Sequence, residues 1–176
     1  MIHMTTAIIF AGGESKRMGQ DKSLMFGGVE RLVAECEKSS ISRIIILCGD
    51  KSRLSLFDGE IWADPEDCHS IVDVVKWSVK HISDDVLLIP CDAFNLNSEG
   101  IELLCRQKNC VAVDSKGIRQ PLLCRITNRQ LINWSGDSIN SMLDGLPSFS
   151  KPKIAKQFDN FNQSSDLRNH LSQRHQ

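Results

Sequence analysis

The sequence lacks any long apolar run and has no excess of charge of either sign. No stretch reaches the roughly 18 apolar residues of a membrane-spanning helix, and the start, MIHMTTAIIFAGG, has no basic region before its short apolar run. Lysine and arginine number 21 against 22 for aspartate and glutamate, a net charge of -1. This balance provides no broad positive field for nucleic acid. We therefore expect a soluble, unprocessed protein whose partners include neither a membrane nor nucleic acid.

The sequence also lacks the spacing of disulfide and zinc sites. Its seven cysteines form no C-x-x-C pair, and their odd number rules out complete pairing within the chain. The five histidines have no metal-ligand spacing, and Cys105 and Cys110 have no second pair to complete a zinc site. Unpaired thiols are typical of reducing compartments, so we expect a cytoplasmic protein.

No internal repeat, low-complexity segment or long linker divides the chain. With 176 residues, of which 41% are hydrophobic, the chain is long enough for one well-buried core. We therefore predict a single domain over residues 1–176.

Short apolar runs alternate with amphipathic segments along the chain. The runs are predicted strands, at 7–11, 43–48, 85–91, 110–114 and 119–126. The amphipathic segments are predicted helices, at 29–39, 69–82, 98–107, 138–143 and 164–173. Alternation of this kind predicts an α/β fold, a three-layer α/β/α sandwich around a mostly parallel, Rossmann-like sheet.

The loop after the first predicted strand, AGGESKRMGQDK at 11–22, combines glycines with positive charge. Gly12 and Gly13 allow a sharp turn whose N–H groups can hold an anion, and Arg17 and Lys22 can contact phosphate oxygens. Neither G-x-x-x-x-G-K-[ST] nor G-x-G-x-x-G is present, which argues against a P-loop kinase and a dinucleotide dehydrogenase. Taken without further context, the loop is equally compatible with an ordinary strand-to-helix connection whose charges are solvated.

The complete spacing, AGGxSxRMGxDK, closely resembles the signature loop of nucleotidyltransferases, above all the molybdenum cofactor guanylyltransferase family. The resemblance implies a fold of the nucleotide-diphospho-sugar transferase type. It also implies transfer of GMP from GTP to the phosphate of molybdopterin, with release of pyrophosphate. Its nucleotide-binding positions fall on Phe10, Ala11, Gly12, Gly13, Lys22, Asp64 and Asp92, and its catalytic positions on Arg17, Lys22 and Asp92.

Two later segments extend the resemblance. LLIPCDAFNL at 87–96 is similar to the family strand whose aspartate holds Mg²⁺, which makes Asp92 the expected metal ligand. RQPLLCRI at 119–126 and QFDNFNQSSDL at 157–167 are similar to segments on the pterin side, which implies that Gln120, Asn160 and Asn162 contact the acceptor. The implied partners are GTP and molybdopterin, with transient contacts to cofactor-synthesis proteins and target molybdoenzymes.

Several positions depart from the family pattern. The usual Gly-Pro-Leu-Ala-Gly is replaced by CHSIV at 68–72, the Gly-x-Pro after Lys22 by GGV at 27–29, and the Asn after the second strand by LCGD at 47–50. His69 is either a nucleotide contact or a polar residue at a helix start. Two alternatives to the guanylyltransferase therefore stay open: a molybdopterin cytidylyltransferase, and a non-catalytic nucleotide- or cofactor-binding relative that assists molybdoenzyme maturation.

Overall fold

The computed structural model describes residues 4–12 and 21–161, together with residues 165, 166, 168 and 172. Within this part of the chain, seven strands form one sheet in the order β3-β2-β1-β4-β6-β5-β7. The strands are β1 Thr5–Phe10, β2 Arg43–Leu47, β3 Ile61–Trp62, β4 Asp85–Pro90, β5 Cys110–Val113, β6 Arg119–Ile126 and β7 Ser148–Phe149. Only β6 runs against its neighbours, so the predicted mostly parallel sheet is confirmed.

Four α-helices accompany the described strands: α1 Gly28–Glu37, α2 Ile71–His81, α3 Ser98–Cys105 and α4 Ile139–Met142. Short 3-10 segments occur at Lys22–Gly27, Lys51–Leu56, Arg129–Leu131 and Pro152–Phe158. Helices α2 and α3 begin at residues whose side chains accept N–H groups of the first turn, Ser70 for α2 and Asn97 for α3. Because Asn97 caps α3, Asp92 is not used as the cap of that helix.

The core lies on both faces of the sheet, because the central strand β1 is buried on both sides. Ala7 and Ile9 face a cluster that includes Leu32 of α1 and Ile101 of α3. Ile8 and Phe10 face a second cluster built on α2 and α4. Alternate residues of a strand point to opposite faces, so an uninterrupted apolar strand needs helices on both sides. The predicted three-layer α/β/α sandwich is confirmed.

The predicted strands and the four predicted helices before residue 150 are present, with ends that differ by one or two residues. The two-residue strands β3 and β7 were not predicted, since two residues carry no period. Of the predicted helix over 164–173, residues 165, 166, 168 and 172 are helical and the others lie outside the described residues. No helix among the described residues has the length and apolar character needed to cross a membrane.

The parallel pairing of β1 with β2 and β4 brings the carboxyl ends of all three strands to one edge of the sheet. The Ala11 N–H donates to the Leu47 carbonyl at 2.8 Å, and the Cys91 N–H donates to the Phe10 carbonyl at 3.2 Å. These bonds continue the sheet past the strand ends. The segments that follow β1, β2 and β4 therefore lie side by side.

The segment between Lys22 and α1 turns through three consecutive residues with positive φ: Phe26 at 49°, Gly27 at 80° and Gly28 at 54°. A positive φ is strained for a residue with a side chain, such as Phe26. The ring of Phe26 packs edge-on against Phe94, with centroids 5.0 Å apart. A Cβ on Gly28 would overlap the carbonyl oxygen of Ser23. This turn sets the direction of the Lys22–Gly27 segment relative to α1.

Gly28→Ala should therefore destabilise the protein far more than a matched change at Gly117. Gly117 also has a positive φ, 78°, but among the described residues no atom beyond its own and its chain neighbours' lies within 4 Å of the position of its absent Cβ. We expect Gly117→Ala to lower the free energy of unfolding by about 1 kcal/mol and Gly28→Ala by about 3 kcal/mol or more. Urea unfolding of both variants measures the difference, and equal losses would show that the turn relaxes around the added methyl group.

Candidate active site

Lys22 and Asp92 form an ion pair at the edge of the sheet where β1 and β4 end. The Lys22 Nζ lies 3.0 Å from Asp92 Oδ2, and each side chain is only 13% exposed. Asp92 sits in a tight turn directly after β4, in which the Phe94 N–H donates to the Asp92 carbonyl at 2.8 Å. The structure thus brings together two of the three residues predicted as catalytic, and the third, Arg17, lies outside the described residues.

Arg53 connects the segments that follow β1 and β2. Its Nη2 donates to the Ala11 carbonyl and its Nε to the Cys48 carbonyl, both at 2.8 Å. Its Nη1 donates to Asp21 Oδ2 at 2.8 Å, and Nη2 also reaches the Ser23 hydroxyl at 3.1 Å. A planar guanidinium can satisfy several acceptors in fixed directions. Arg53 therefore holds the loop after β1 and the start of the Lys22 segment in one arrangement.

Asp21 caps the 3-10 segment that begins at Lys22. Its Oδ1 accepts from the Ser23 N–H at 2.9 Å and the Ser23 hydroxyl at 2.6 Å. Burial by itself would raise the pKa of Asp21, but hydrogen bonds from Arg53 and Ser23 outweigh burial and lower it. The ionised form is thus favoured by folding, and its stabilising contribution is lost as the pH falls through the lowered pKa.

Gly12 and Gly49 bring the ends of β1 and β2 into close contact. A Cβ on Gly12 would lie 2.9 Å from the Gly49 Cα and 3.0 Å from its nitrogen. Gly49 has a φ of 82°, so it also requires glycine. The close approach of Gly49, which follows β2, therefore leaves no room for a side chain at Gly12, while Gly13 lies outside the described residues.

A cleft of about 300 Å³ opens beside Gly12, between the ends of β1 and β2 and the start of α2. Both apolar and polar residues line it: Phe10, Gly12, Leu47, Asp64, Cys68, His69, Ser70, Ile71 and Val74. The cleft includes the predicted nucleotide-binding residues Phe10, Gly12 and Asp64. It also includes residues 68–71 of the segment that departs from the family pattern, among them His69.

Asp64 is the acidic group of this cleft. Its backbone N–H donates to the Gly49 carbonyl at 2.8 Å, which places it beside the end of β2. Burial raises the pKa of its carboxyl group. Within the part of the chain that the structure describes, no residue donates a hydrogen bond to this carboxylate. A half-buried carboxylate of this kind has the capacity to accept donors from a ligand.

The thiols at the site are poor nucleophiles. Burial raises the pKa of Cys91 to about 12, and the neighbouring Asp92 charge acts in the same direction. Burial also raises the pKa of Cys68 in the cleft. Both side chains therefore stay protonated near neutral pH, and neither supplies the thiolate that covalent catalysis requires.

Among the described residues, no group of three or more His, Cys, Asp or Glu side chains could hold a metal ion. Asp92 is thus a single carboxylate beside a lysine. One protein carboxylate, with substrate phosphates and water supplying the other ligands, is a common arrangement for Mg²⁺. The predicted role of Asp92 is compatible with a metal that binds together with a phosphate substrate.

The residues predicted on the acceptor side also meet in the structure. Asn160 Nδ2 donates to Gln120 Oε1 at 2.8 Å, and Gln120 Nε2 donates to Asp114 Oδ2 at 2.8 Å. β6 is an interior strand of the sheet, and Gln120 is a buried residue on it. Asn162, the remaining predicted residue, lies outside the described residues.

An aromatic cluster of Phe26, Phe94 and Phe161 connects the Lys22 segment, the turn after β4 and the segment that contains Asn160. Phe94 contacts Phe26 at a centroid distance of 5.0 Å and Phe161 at 5.2 Å. Phe26 belongs to the Lys22 segment, Phe94 follows Asp92, and Phe161 follows Asn160. The acceptor-side residues are thus tied to the turn that carries Asp92.

Sequence reasoning missed Arg53, Asp21 as its ion-pair partner, and the aromatic cluster. Arg53 lies in DKSRLSLF, a segment whose composition is that of a solvated loop. Two of its four acceptors are backbone carbonyls, which leave no trace in residue identity. Only Asp21 offered a signal in the sequence, because an aspartate directly before Lys22 is a typical capping residue for a helical turn that begins there.

Arg53→Lys should lower stability much more than Arg43→Lys, a matched control. Arg43 makes a two-bond pair with Glu60, but both side chains are more than a third exposed. We expect a loss of about 2–4 kcal/mol for Arg53→Lys, because one ammonium cannot reach acceptors on three segments, and less than about 1 kcal/mol for the control. Chemical unfolding measures both, and similar losses would remove Arg53 from this role.

Comparison with solved structures supports the fold. The chain is similar to a protein from Aquifex aeolicus, with 17% identity, 93% of this chain and 96% of that chain covered, and a TM-score of 0.71. Molybdopterin-guanine dinucleotide biosynthesis protein A from Archaeoglobus fulgidus has 16% identity, coverages of 96% and 99%, and a TM-score of 0.67. A 4-diphosphocytidyl-2C-methyl-D-erythritol synthase from Anaerococcus prevotii has 13% identity, coverages of 99% and 99%, and a TM-score of 0.59.

No curated protein matches the sequence. The model of the MobA-like NTP transferase domain matches residues 7–157, which include the loop after β1, the cleft and Asp92. Most of the chain is therefore covered by one family, and the site described above lies within the matched region. The protein belongs to the MobA-like NTP transferase family and is a nucleotidyltransferase.

Proposed function

We propose that the protein transfers GMP from GTP to the terminal phosphate of molybdopterin and releases pyrophosphate. The observation that carries this proposal is the Lys22–Asp92 pair at the carboxyl ends of β1 and β4, next to the cleft that contains Asp64. We infer that a triphosphate extending out of the cleft would reach this cation and carboxylate. The family match supports nucleotidyl transfer, and the choice of base and acceptor is our inference.

In the proposed reaction, an oxygen of the acceptor phosphate attacks the α-phosphorus of GTP while the bond to the β-phosphate oxygen breaks. A phosphate monoester has a second pKa of about 6, so the acceptor is already a dianion at neutral pH and needs no general base. Lys22 stabilises the charge that grows on the pyrophosphate leaving group. Arg17, from the sequence pattern, has the same role.

Asp92 is the proposed ligand of Mg²⁺. A bound Mg²⁺ would neutralise phosphate charge and so allow two anionic substrates to approach each other. The ammonium of Lys22 has three donors, so its contact with Asp92 is compatible with a second contact to phosphate. Asp92 thus orients Lys22 as well as offering a hard oxygen ligand.

Asp64 supports guanine as the base. Guanine presents two adjacent N–H donors on its Watson–Crick edge, and one carboxylate can accept both. Cytosine presents a donor beside an acceptor, and the acceptor would face a negative oxygen of Asp64. Phe10, Leu47 and Val74 provide the apolar surface that a base requires.

Lys22→Ala should lower GTP affinity and turnover by about tenfold or more, because a charged contact to the phosphates is lost. Lys51→Ala is the matched control, since Lys51 also pairs with an acid, Glu66, but on an exposed surface. Titration with GTP and a pyrophosphate-release assay with GTP and molybdopterin provide the readouts. Wild-type kinetics in Lys22→Ala would remove this residue from the site.

Asp64→Asn should shift base preference from GTP toward CTP. The amide offers one acceptor and one donor, which match the cytosine edge and mismatch guanine. A bidentate contact is worth about 1–3 kcal/mol, so the ratio of GTP to CTP affinity should fall by roughly tenfold to a hundredfold. The exposed Asp67→Asn is the control.

Competition titrations with GTP and CTP on the wild-type protein and both variants measure this ratio. A wild-type preference for CTP would establish a cytidylyltransferase instead. Nucleotide binding without pyrophosphate release would indicate the non-catalytic relative.

A further inference from the structure

A series of hydrogen bonds, here called the polar relay, links Asp114, Gln120 and Asn160. It connects the hairpin between β5 and β6 to the residues that follow the 3-10 segment Pro152–Phe158. Each link is 2.8 Å long. Asp114 is 6% exposed and Gln120 8% exposed, so water does not compete for the bonds between them. The relay is therefore a fixed element of the structure.

The direction of every bond in the polar relay is determined by Asp114. Its Oδ1 accepts the N–H groups of Lys116 at 2.9 Å and Ile118 at 2.8 Å, and its Oδ2 accepts from Gln120. An ionised carboxylate can only accept. Gln120 must therefore turn its NH₂ group toward Asp114 and its carbonyl oxygen toward Asn160.

The same reasoning extends to Asn160. Because the facing atom of Gln120 is a carbonyl oxygen, Asn160 must donate its NH₂ group to it. The Asn160 carbonyl oxygen is then left for other partners. An asparagine alone can present either end to a ligand, but this one is held with its acceptor end outward.

The outer end of the relay lies toward the active site. β6 is antiparallel to β4, so Gln120, near the start of β6, lies toward the carboxyl end of β4, where Asp92 follows. Phe161, the residue after Asn160, packs on Phe94 in the turn after Asp92. In addition, the Ser115 N–H and hydroxyl donate to Asp159 Oδ1 at 2.9 and 2.7 Å, which anchors the segment before Asn160.

We propose that Asp114 sets the hydrogen-bond polarity of the acceptor site, holding Asn160 as an acceptor that selects a substrate with an N–H or O–H donor at the facing position. The ring N–H and amino groups of a pterin are donors of this kind. This inference rests on the proposed function, which places the acceptor substrate at Asn160. Asp114 does not touch substrate and is a positioning residue.

Two variants test the polarity directly. Asp114→Asn keeps an oxygen for the Lys116 and Ile118 amides but turns an NH₂ group toward Gln120. Two facing NH₂ groups cannot bond, so both amides must turn over and Asn160 must present its NH₂ group outward. Adding Gln120→Glu restores an acceptor-only group in the middle of the relay, and Asn160 returns to its original orientation.

The first measurement follows solvent exchange of the Asn160 side-chain amide protons by NMR in the ligand-free protein, with Asn160→Asp to identify the signal. The bonded proton should be protected in the wild type, exchange about tenfold faster or more in Asp114→Asn, and be protected again in the double variant. Unchanged exchange in the single variant would overturn the proposal.

The second measurement is the initial rate with GTP and molybdopterin, alongside melting temperatures. Asp114→Asn should raise the KM for molybdopterin about tenfold or more, with GTP affinity unchanged, and the double variant should recover it. An unchanged KM despite altered exchange would overturn the selective role of Asn160. If the wild type transfers nothing to molybdopterin, the proposed function is wrong, and amide exchange still decides whether Asp114 orients the relay.

Discussion

The parallel pairing of β1 with both β2 and β4 is the constraint on which the site depends. It brings the carboxyl ends of three strands to one edge of the sheet, where each contributes a different kind of group. Lys22 and Asp92 are 70 residues apart in sequence and 3.0 Å apart in space. The apolar residues that drive this pairing are buried on both faces of β1, so the hydrophobic core determines the position of the charged groups.

Charge at this edge is organised as neighbouring pairs of opposite sign. Lys22 forms an ion pair with Asp92, and Arg53 forms one with Asp21. Each of these side chains is largely shielded from water. A charge removed from water is costly unless a partner and hydrogen bonds compensate for it. The two acids therefore allow two cations to be held near the cleft in defined orientations before any anionic ligand is present.

The two sides of the site are coupled through packing. Phe94 contacts aromatic rings from the Lys22 segment and from the residue after Asn160, while its own backbone closes the turn that holds Asp92. Rings in such contacts have preferred relative orientations, so a shift of one segment disturbs its packing against the others. The proposed nucleotide and acceptor sides thus share one element, the turn after β4.

The layers of the fold could be predicted from the sequence, and Lys22 and Asp92 could be selected from it as candidate site residues, because apolar periodicity and short residue patterns are local properties. The contacts of Arg53 and Asp114 could be seen only in the folded chain. Both residues bond to backbone groups as well as to side chains, and the acceptors of Arg53 come from segments as much as 42 residues away. A backbone carbonyl is the same in every residue, so only the folded chain reveals which carbonyls an arginine can reach and which way an amide must point.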